Sequence, residues 1–156
     1  MPASYGIARE LTASMLAWAE VVARLAAARN YWIGTTRPDG RPHATPVWGL
    51  WFEEALHFCT DGASTKALNL ASNPAVAVHL ESGDDAVMLE GTVEVVVDGA
   101  FLTRLAAAYH AKYSIAPDLS PGAARTYRLR LTTAFAWREQ DFPESATRWR
   151  FDGSAL

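Results

Sequence analysis

Apolar and polar positions follow two rhythms along this chain, and their order predicts its elements. Between Ser14 and Arg29 the residues Met15, Trp18, Val22 and Leu25 recur at helical spacing, Ser14 can cap, and Glu20 with Arg24 forms an i,i+4 pair, so a first helix is predicted there. Tyr31 to Arg37 is aromatic and β-branched, Pro38-Asp39-Gly40 supplies turn chemistry, and Arg41 to Leu50 is extended again. These two runs form a predicted hairpin. Pro42 and Pro46 cannot donate to a ladder, so the second strand is expected to be an edge or to be bulged, with part of its backbone free to face a ligand.

The pattern continues through a turn at Glu53-Glu54, a third strand over Leu56 to Thr60, and a helix from about Ser64 to Asn73, which Pro74 stops. Val76, Val78 and Leu80 alternate with Ala77 and His79 in a fourth strand. After the polar turn Ser82-Gly83-Asp84-Asp85, Val87, Leu89, Val93 and Val95 predict a long fifth strand in which Gly91 marks a bulge or a close approach. Asp98 caps a helix with Leu102, Leu105, Ala106 and Tyr109 on one face. A Pro-rich loop from Pro117 to Gly122 leads to a sixth strand, where Tyr127, Leu129, Leu131, Thr133, Phe135 and Trp137 alternate with Arg128 and Arg130. The tail from Glu139 to Phe151 has no clear period, yet Arg148-Trp149-Arg150-Phe151 is aromatic enough to need a surface to cover. Six strands in this order, with helices inserted after the third and the fifth, predict a mainly β fold, an antiparallel barrel with helices packed outside it.

Composition narrows the classes. The 156 residues suit one domain, and half of them are hydrophobic, six being tryptophan, which points to a subunit interface or a ligand cleft. A net charge of −3 gives no footprint for nucleic acid and no polybasic face for a membrane. The N-terminal apolar stretch is interrupted by Glu10, Glu20, Arg24 and Arg29, so neither a signal peptide nor a membrane span is expected, and the cytoplasm is the expected location. The single Cys59 excludes an intrachain disulfide. The four histidines and this cysteine show no HExxH or CxxC spacing, so no metal site is expected, and no GxSxG elbow suggests a hydrolase.

The chemistry concentrates at residues 58 to 74, where an apolar strand ends in a short loop that opens a helix with Ser64, Thr65 and Lys66 in its first turn. Unpaired N–H groups, the positive end of the helix dipole, two hydroxyls and one ammonium suit a phosphate mono- or diester. A plain cap with a solvated lysine is the competing reading. The chain has only two lysines, Lys66 and Lys112, against twelve arginines, so Lys66 is not one of many interchangeable charges.

The run Gly40-Arg41-Pro42-His43-Ala44-Thr45-Pro46-Val47-Trp48, with Phe58-Cys59-Thr60, Ser64 to Leu70, Asn73-Pro74 and Leu89-Glu90-Gly91-Thr92, resembles the pyridoxamine 5′-phosphate oxidase-like, FMN-binding split-barrel superfamily. The resemblance covers about residues 14 to 137, leaving 138 to 156 as a tail. It implies a six-stranded antiparallel split β-barrel with peripheral α-helices, a homodimer, and a cofactor in the groove between subunits, either FMN or the deazaflavin coenzyme F-420. It assigns His43, Thr45, Pro46 and Trp48 to the ring edge, Cys59 and Thr60 to the ring-to-phosphate passage, Ser64, Thr65 and Lys66 to the phosphate, and Asn69 to the next helical turn. Where Thr65 stands, many relatives carry arginine. Trp137 and Arg148 to Phe151 stand where relatives close the pocket.

The expected function is therefore a small oxidoreductase that exchanges hydride between FMN or F-420 and an organic small molecule. The alternative is a non-catalytic protein that binds or stores a flavin nucleotide or a tetrapyrrole. The arginines and histidine with which a true pyridoxamine phosphate oxidase grips its substrate are not located, so that activity is not assigned. His57, His79 and His110 read as structural or exposed. Composition and the Gly62 to Asn69 run lean toward F-420, whose polyanionic tail would need a basic groove, with Arg37, Arg41, Arg148 and Arg150 as candidates.

Overall fold

The computed structural model describes residues 15–115, 117–119 and 124–152. Its first helix, α1, spans Trp18–Ala27 and starts at Ala17, which makes no side-chain cap bond. The expected Ser14 cap lies outside the described residues. Of the predicted stripe Leu25 is buried, with Val21 beside it, whereas Met15, just before the helix, is 47% exposed and Trp18 and Val22 are half-buried.

The hairpin follows as predicted, with β1 over Asn30–Thr36 and β2 over Pro42–Phe52. Gly40 closes its turn at φ 84°, a conformation that only glycine adopts freely. A second hairpin, turned at Glu53 and Glu54, leads into β3, Ala55–Thr60, and then α2, Thr65–Ser72. Next come β4, Ala75–His79, β5, Asp85–Val95, and α3, Gly99–Tyr113, whose first N–H groups at Ala100 and Phe101 donate to the Asp98 carboxylate. The buried face of α3 is Phe101, Leu105, Tyr109 and Tyr113, so the predicted stripe is rotated, with Leu102 and Ala106 at its margin.

Every strand pairing is antiparallel. The order β3-β2-β1-β4-β5-β6 is closed by pairing of β3 with β6, which spans Arg125–Arg138, and gives the expected six-stranded barrel. A seventh strand, β7 at Thr147–Arg150, extends β6 after a 3-10 turn over Glu139–Asp141. The sequence does not announce β7. Four residues complete only two alternations, and they are extended because β6 offers them an edge.

The β5–β6 ladder has a register shift at Glu90/Gly91 that leaves Thr132 as the extra residue on β6. Its polar groups are satisfied: the hydroxyl donates to the Glu90 carbonyl and the carbonyl accepts from Phe151 N–H. The shift reverses the buried parity of β6. Tyr127, Leu129 and Leu131 are buried before it and Ala134 and Ala136 after it, whereas continuous alternation predicts Phe135 and Trp137 on the inner face.

Two apolar clusters result. One fills the barrel from Tyr31, Ile33, Phe58, Val78, Leu89 and Leu129 and takes in Val21 and Leu25 of α1. Trp18 completes it against Trp51, Trp149 and Phe151, ring to ring, which is how the aromatic tail is covered. The other lies under α3, where Phe101, Leu105, Tyr109 and Tyr113 pack on Leu50 with Phe52 and Cys59 at the margin. Among the described residues no helix is long and apolar enough to cross a membrane.

His57 is fully buried beneath α3, with Nδ1 3.1 Å from the Ala55 carbonyl and Nε2 accepting from Arg128 Nε at 3.1 Å. The carbonyl can only accept, so Nδ1 carries the proton and the ring is neutral. Burial first, and the Arg128 charge second, hold its pKa down to about 4, from 6.5. Below pH 6.5 the unfolded chain takes up a proton that the native state refuses, so stability falls as pH drops from about 6.5 to about 4. The expected loss from this ring is on the order of 3 kcal/mol by the lower limit. Denaturant unfolding at a series of pH values measures it, and His57→Asn is expected to flatten the slope across that window while lowering stability at pH 7.

Candidate functional site

β2 and β3 run together only from Gly49↔Phe58 to Phe52↔Ala55. Beyond that point they part. The stretch Pro42 to Trp48 keeps β1 on one side and has no strand on the other, while Cys59 and Thr60 turn to pair with Thr126 and Arg125 of β6. The expected edge character of the proline-bearing strand is present along this half. Phe58 is thus where the barrel splits, and α2 begins five residues beyond the end of β3.

At the start of α2, Ser64 is the N-cap, its Oγ accepting from Ala67 N–H at 3.3 Å. Thr60 Oγ1 lies 3.1 Å from Ser64 Oγ and accepts from Lys66 Nζ at 3.1 Å. Two hydroxyls and an ammonium therefore meet in one cluster, beside the Thr65 and Lys66 N–H groups that a first helical turn leaves unpaired. The Asp61 carboxylate is turned to Ala63 N–H, at 2.6 Å. Such a cluster can hold a tetrahedral anion.

A second cation stands beside it. Thr60 pairs with Arg125, and Arg125 Nε lies 3.3 Å from where a Gly62 Cβ would sit, so this guanidinium packs on the loop that precedes α2. The sequence reading finds one cation at the helix start, because Arg125 is 59 residues from Lys66 and only barrel closure brings it near.

One turn into α2, Asn69 is 2% exposed and donates through Nδ2 to Thr35 Oγ1 at 2.9 Å. Thr35 is itself buried on β1 and contacts His43 of β2. His43 and Asn69 are joined through Thr35, which the sequence reading passes over. A signal existed, since Thr35 is the one polar residue on the inward series Tyr31, Ile33, Thr35.

The other ring-edge candidates divide. His43 and Thr45 are half-buried on the inward face of β2, opposite Thr35 and Ile33. Pro46 and Trp48 point to the outer face by strand alternation. Trp48 stacks on Tyr113 of α3, centroids 4.7 Å apart and planes 6° from parallel, with the Arg29 guanidinium 5.4 Å from its ring. Cys59 is not with Thr60. Its side chain faces α3 and Tyr109, and burial pushes the thiol pKa up, which makes it a poor nucleophile. Thr65 is exposed at the first helical position.

Of the four arginines expected to line a basic groove, Arg37 and Arg41 flank the β1–β2 turn, where Arg37 N–H donates to the Arg41 carbonyl, and the other two lie on β7. Arg41 pairs with Asp39 at 2.8 Å on the hairpin tip, whereas Arg148 and Arg150 sit on β7, along the half of β6 that pairs Thr133 to Ala136. Trp137 lines a separate open cleft of about 380 Å³ with Gly83, Asp84, Glu139 and Phe142, at the opposite end of the β5–β6 ladder from Arg125. Its two carboxylates make it unsuited to phosphate. No group of three or more metal-ligating side chains occurs among the described residues.

The sequence profile described as Pyridoxamine 5'-phosphate oxidase matches residues 17–154. No curated protein matches the chain. Among solved structures, a conserved hypothetical protein of Mycobacterium tuberculosis is similar at 24% identity and a TM-score of 0.72, over 82% of this chain and 89% of the other. An F420 reductase is similar at 27% identity and a TM-score of 0.57, over 71% of this chain and 93% of the other. A heme binding protein from Mycobacterium smegmatis is similar at 19% identity and a TM-score of 0.71, over 88% of this chain and 60% of the other. The profile match spans nearly the whole chain and the split barrel accords with it, so this protein belongs to the pyridoxamine 5'-phosphate oxidase family, in the split-barrel superfamily that bears its name.

Proposed function

We propose that this chain is an oxidoreductase that holds FMN or the deazaflavin coenzyme F-420 in the split between β2 and α2 and exchanges hydride with an organic small molecule. The observation that carries the reading is the Thr60–Ser64–Lys66 cluster, where the end of β3 meets the first turn of α2. The donor set fits the phosphate that both cofactors carry. Ser64, Thr60 and the free N–H groups donate to its oxygens, and Lys66, with Arg125 behind the Gly62 loop, balances its charge. His43 and Thr45, on the inward face of β2, would stand toward the ring, whereas Trp48, stacked on Tyr113, lies on the other face of the strand. When bound, either ring supplies the hydride chemistry, so the chain needs no general base of its own. Its tasks are to position the ring, to exclude water and to hold the phosphate.

Lys66→Ala is expected to weaken FMN by about thirtyfold, roughly 2 kcal/mol, and Arg125→Ala by less, because Arg125 is the more exposed residue. Riboflavin, which lacks the phosphate, should bind both variants as it binds the parent. Fluorescence titration decides, and equal losses for FMN and riboflavin would sink the phosphate assignment.

The choice of ring leans to F-420, on the Gly62 to Asn69 run and the similarity to an F420 reductase. Its phosphodiester and oligoglutamate tail should make its binding fall as salt rises from about 50 to about 500 mM, with FMN responding less. Absorbance titration with each cofactor at both salts tests this, and tight FMN binding with no F-420 binding would reverse the lean. A second reading, a tetrapyrrole-binding or storage protein, draws on the similarity to a heme binding protein and on the half-buried His43 imidazole. A Soret band in the same titration made with heme, lost in His43→Ala, would favour it.

The reading includes a homodimer located in the cytoplasm. The outer face of β2, β1 and β4 presents Ala44, Pro46, Trp32 and Ala77, small or apolar groups that no helix of this chain covers among the described residues. Such a face suits a second copy, which would complete the groove. Sedimentation at micromolar concentration should give about twice the 17.0 kDa chain mass, and a stable monomer would remove the shared groove.

A further inference from the structure

The hydroxyl of Thr35 on β1 is the junction of three groups from two other elements, and its one proton decides how they are wired. Asn69 Nδ2 lies 2.9 Å away, the His43 carbonyl oxygen 3.3 Å and His43 Nδ1 3.5 Å. A carbonyl can only accept, and it is the nearer of the two His43 atoms, so it takes the Thr35 proton. Thr35 Oγ1 is then an acceptor for both Asn69 N–H and the ring, and Nδ1 must carry the hydrogen. Turning the Asn69 amide over leads to the same result, because its oxygen would then take the Thr35 proton and again leave Nδ1 the donor.

We infer that Thr35 is a positioning residue that holds His43 as the Nδ1–H tautomer and so leaves Nε2 a bare acceptor aimed at an N–H or O–H donor of the bound ring. The reverse tautomer would need the Thr35 proton to turn from the carbonyl to Nδ1, giving up the shorter of the two contacts. Thr35 is 4% exposed and Asn69 2%, so water does not substitute for either partner at this junction. Because Asn69 lies on the helix that begins with Ser64 and Lys66, Thr35 also ties the anion-binding turn to the strand that faces the ring. The ligand half of the inference rests on the cofactor reading above, whereas the tautomer is a property of the protein alone.

The test begins without any cofactor. Long-range proton–nitrogen spectra of protein labelled with ¹⁵N-histidine, with His43 assigned by the peaks missing in His43→Gln, should show Nδ1 protonated and Nε2 bare in the parent and in Thr35→Ser. Thr35→Val, nearly isosteric and without the hydroxyl, should relax the ring toward the Nε2–H form that prevails in water. A parent spectrum showing Nε2–H overturns the inference even when Thr35→Val does not fold, and so does an unchanged tautomer in a folded Thr35→Val. Titration with FMN, riboflavin and F-420 then reads the ligand half. Thr35→Val is expected to weaken FMN and riboflavin alike by about tenfold, with recovery in Thr35→Ser. A shifted tautomer with unchanged affinity would overturn the role of Nε2 toward the ligand. If the parent binds none of the three, the cofactor reading fails and the tautomer result still stands on its own spectrum.

Discussion

The carbonyl of Arg130 lies so close to Gly91 that a Cβ there would sit 2.1 Å from the oxygen, well inside contact distance. This approach accompanies the register shift that makes Thr132 an extra residue and bends β6. The bend is what lets one long strand serve two partners on the same edge. Its first part, Arg125 to Arg128, closes the barrel on β3, and its second, Thr133 to Ala136, receives β7. Barrel closure in turn fixes Thr60 against Arg125 and thereby sets where α2 starts.

The split follows from the same closure. Once β3 commits its end to β6, it leaves β2 beyond Gly49, and the backbone that β3 abandons must be satisfied in another way. Near the fork α3 does this with tyrosines. Tyr109 donates to the Trp48 carbonyl at 3.3 Å, and the Tyr113 hydroxyl accepts from Gly49 N–H at 3.1 Å and reaches the Gly49 and Arg29 carbonyls at 2.8 and 2.7 Å. Gly49 has no room for a side chain there, since a Cβ would lie 3.0 Å from both the His57 carbonyl and the Tyr31 ring. From Val47 back to Pro42 no such cover is present among the described residues.

The two lysines illustrate how differently one charge can be used. Lys66 is held by a single hydroxyl at the mouth of the split, where its charge remains available to an anion. Lys112, on the last turn of α3, donates to Tyr31 and to the Gly49 carbonyl and lies 5.2 and 5.3 Å from the Tyr31 and Tyr113 rings. Burial lowers its pKa, and no carboxylate pairs with it among the described residues. It fastens α3 to the fork, while Lys66 serves the opening. The net negative charge of the chain hides this local arrangement, because at the anion-binding turn the one nearby carboxylate, Asp61, is turned to Ala63 N–H.

What the sequence determined by itself was local: the alternation of β1 and β4, the turn chemistry of Pro38-Asp39-Gly40, the caps Ser64 and Asp98, the stop at Pro74, and the glycine that β6 approaches. Each of these depends on neighbours within a few residues, which is the range over which backbone sterics and side-chain hydrogen bonds act. The anion-binding turn was legible for the same reason. Tertiary structure alone decided the rest. The parity of β6 reversed at a bulge whose cause lies on β5, β7 formed because an edge was free, and Cys59 and Thr60, adjacent in the chain, were sent to opposite faces of one strand. Arg125 reached the start of α2 and Thr35 came to join Asn69 with His43 because the barrel closed, and closure is a long-range event that no window of the sequence contains.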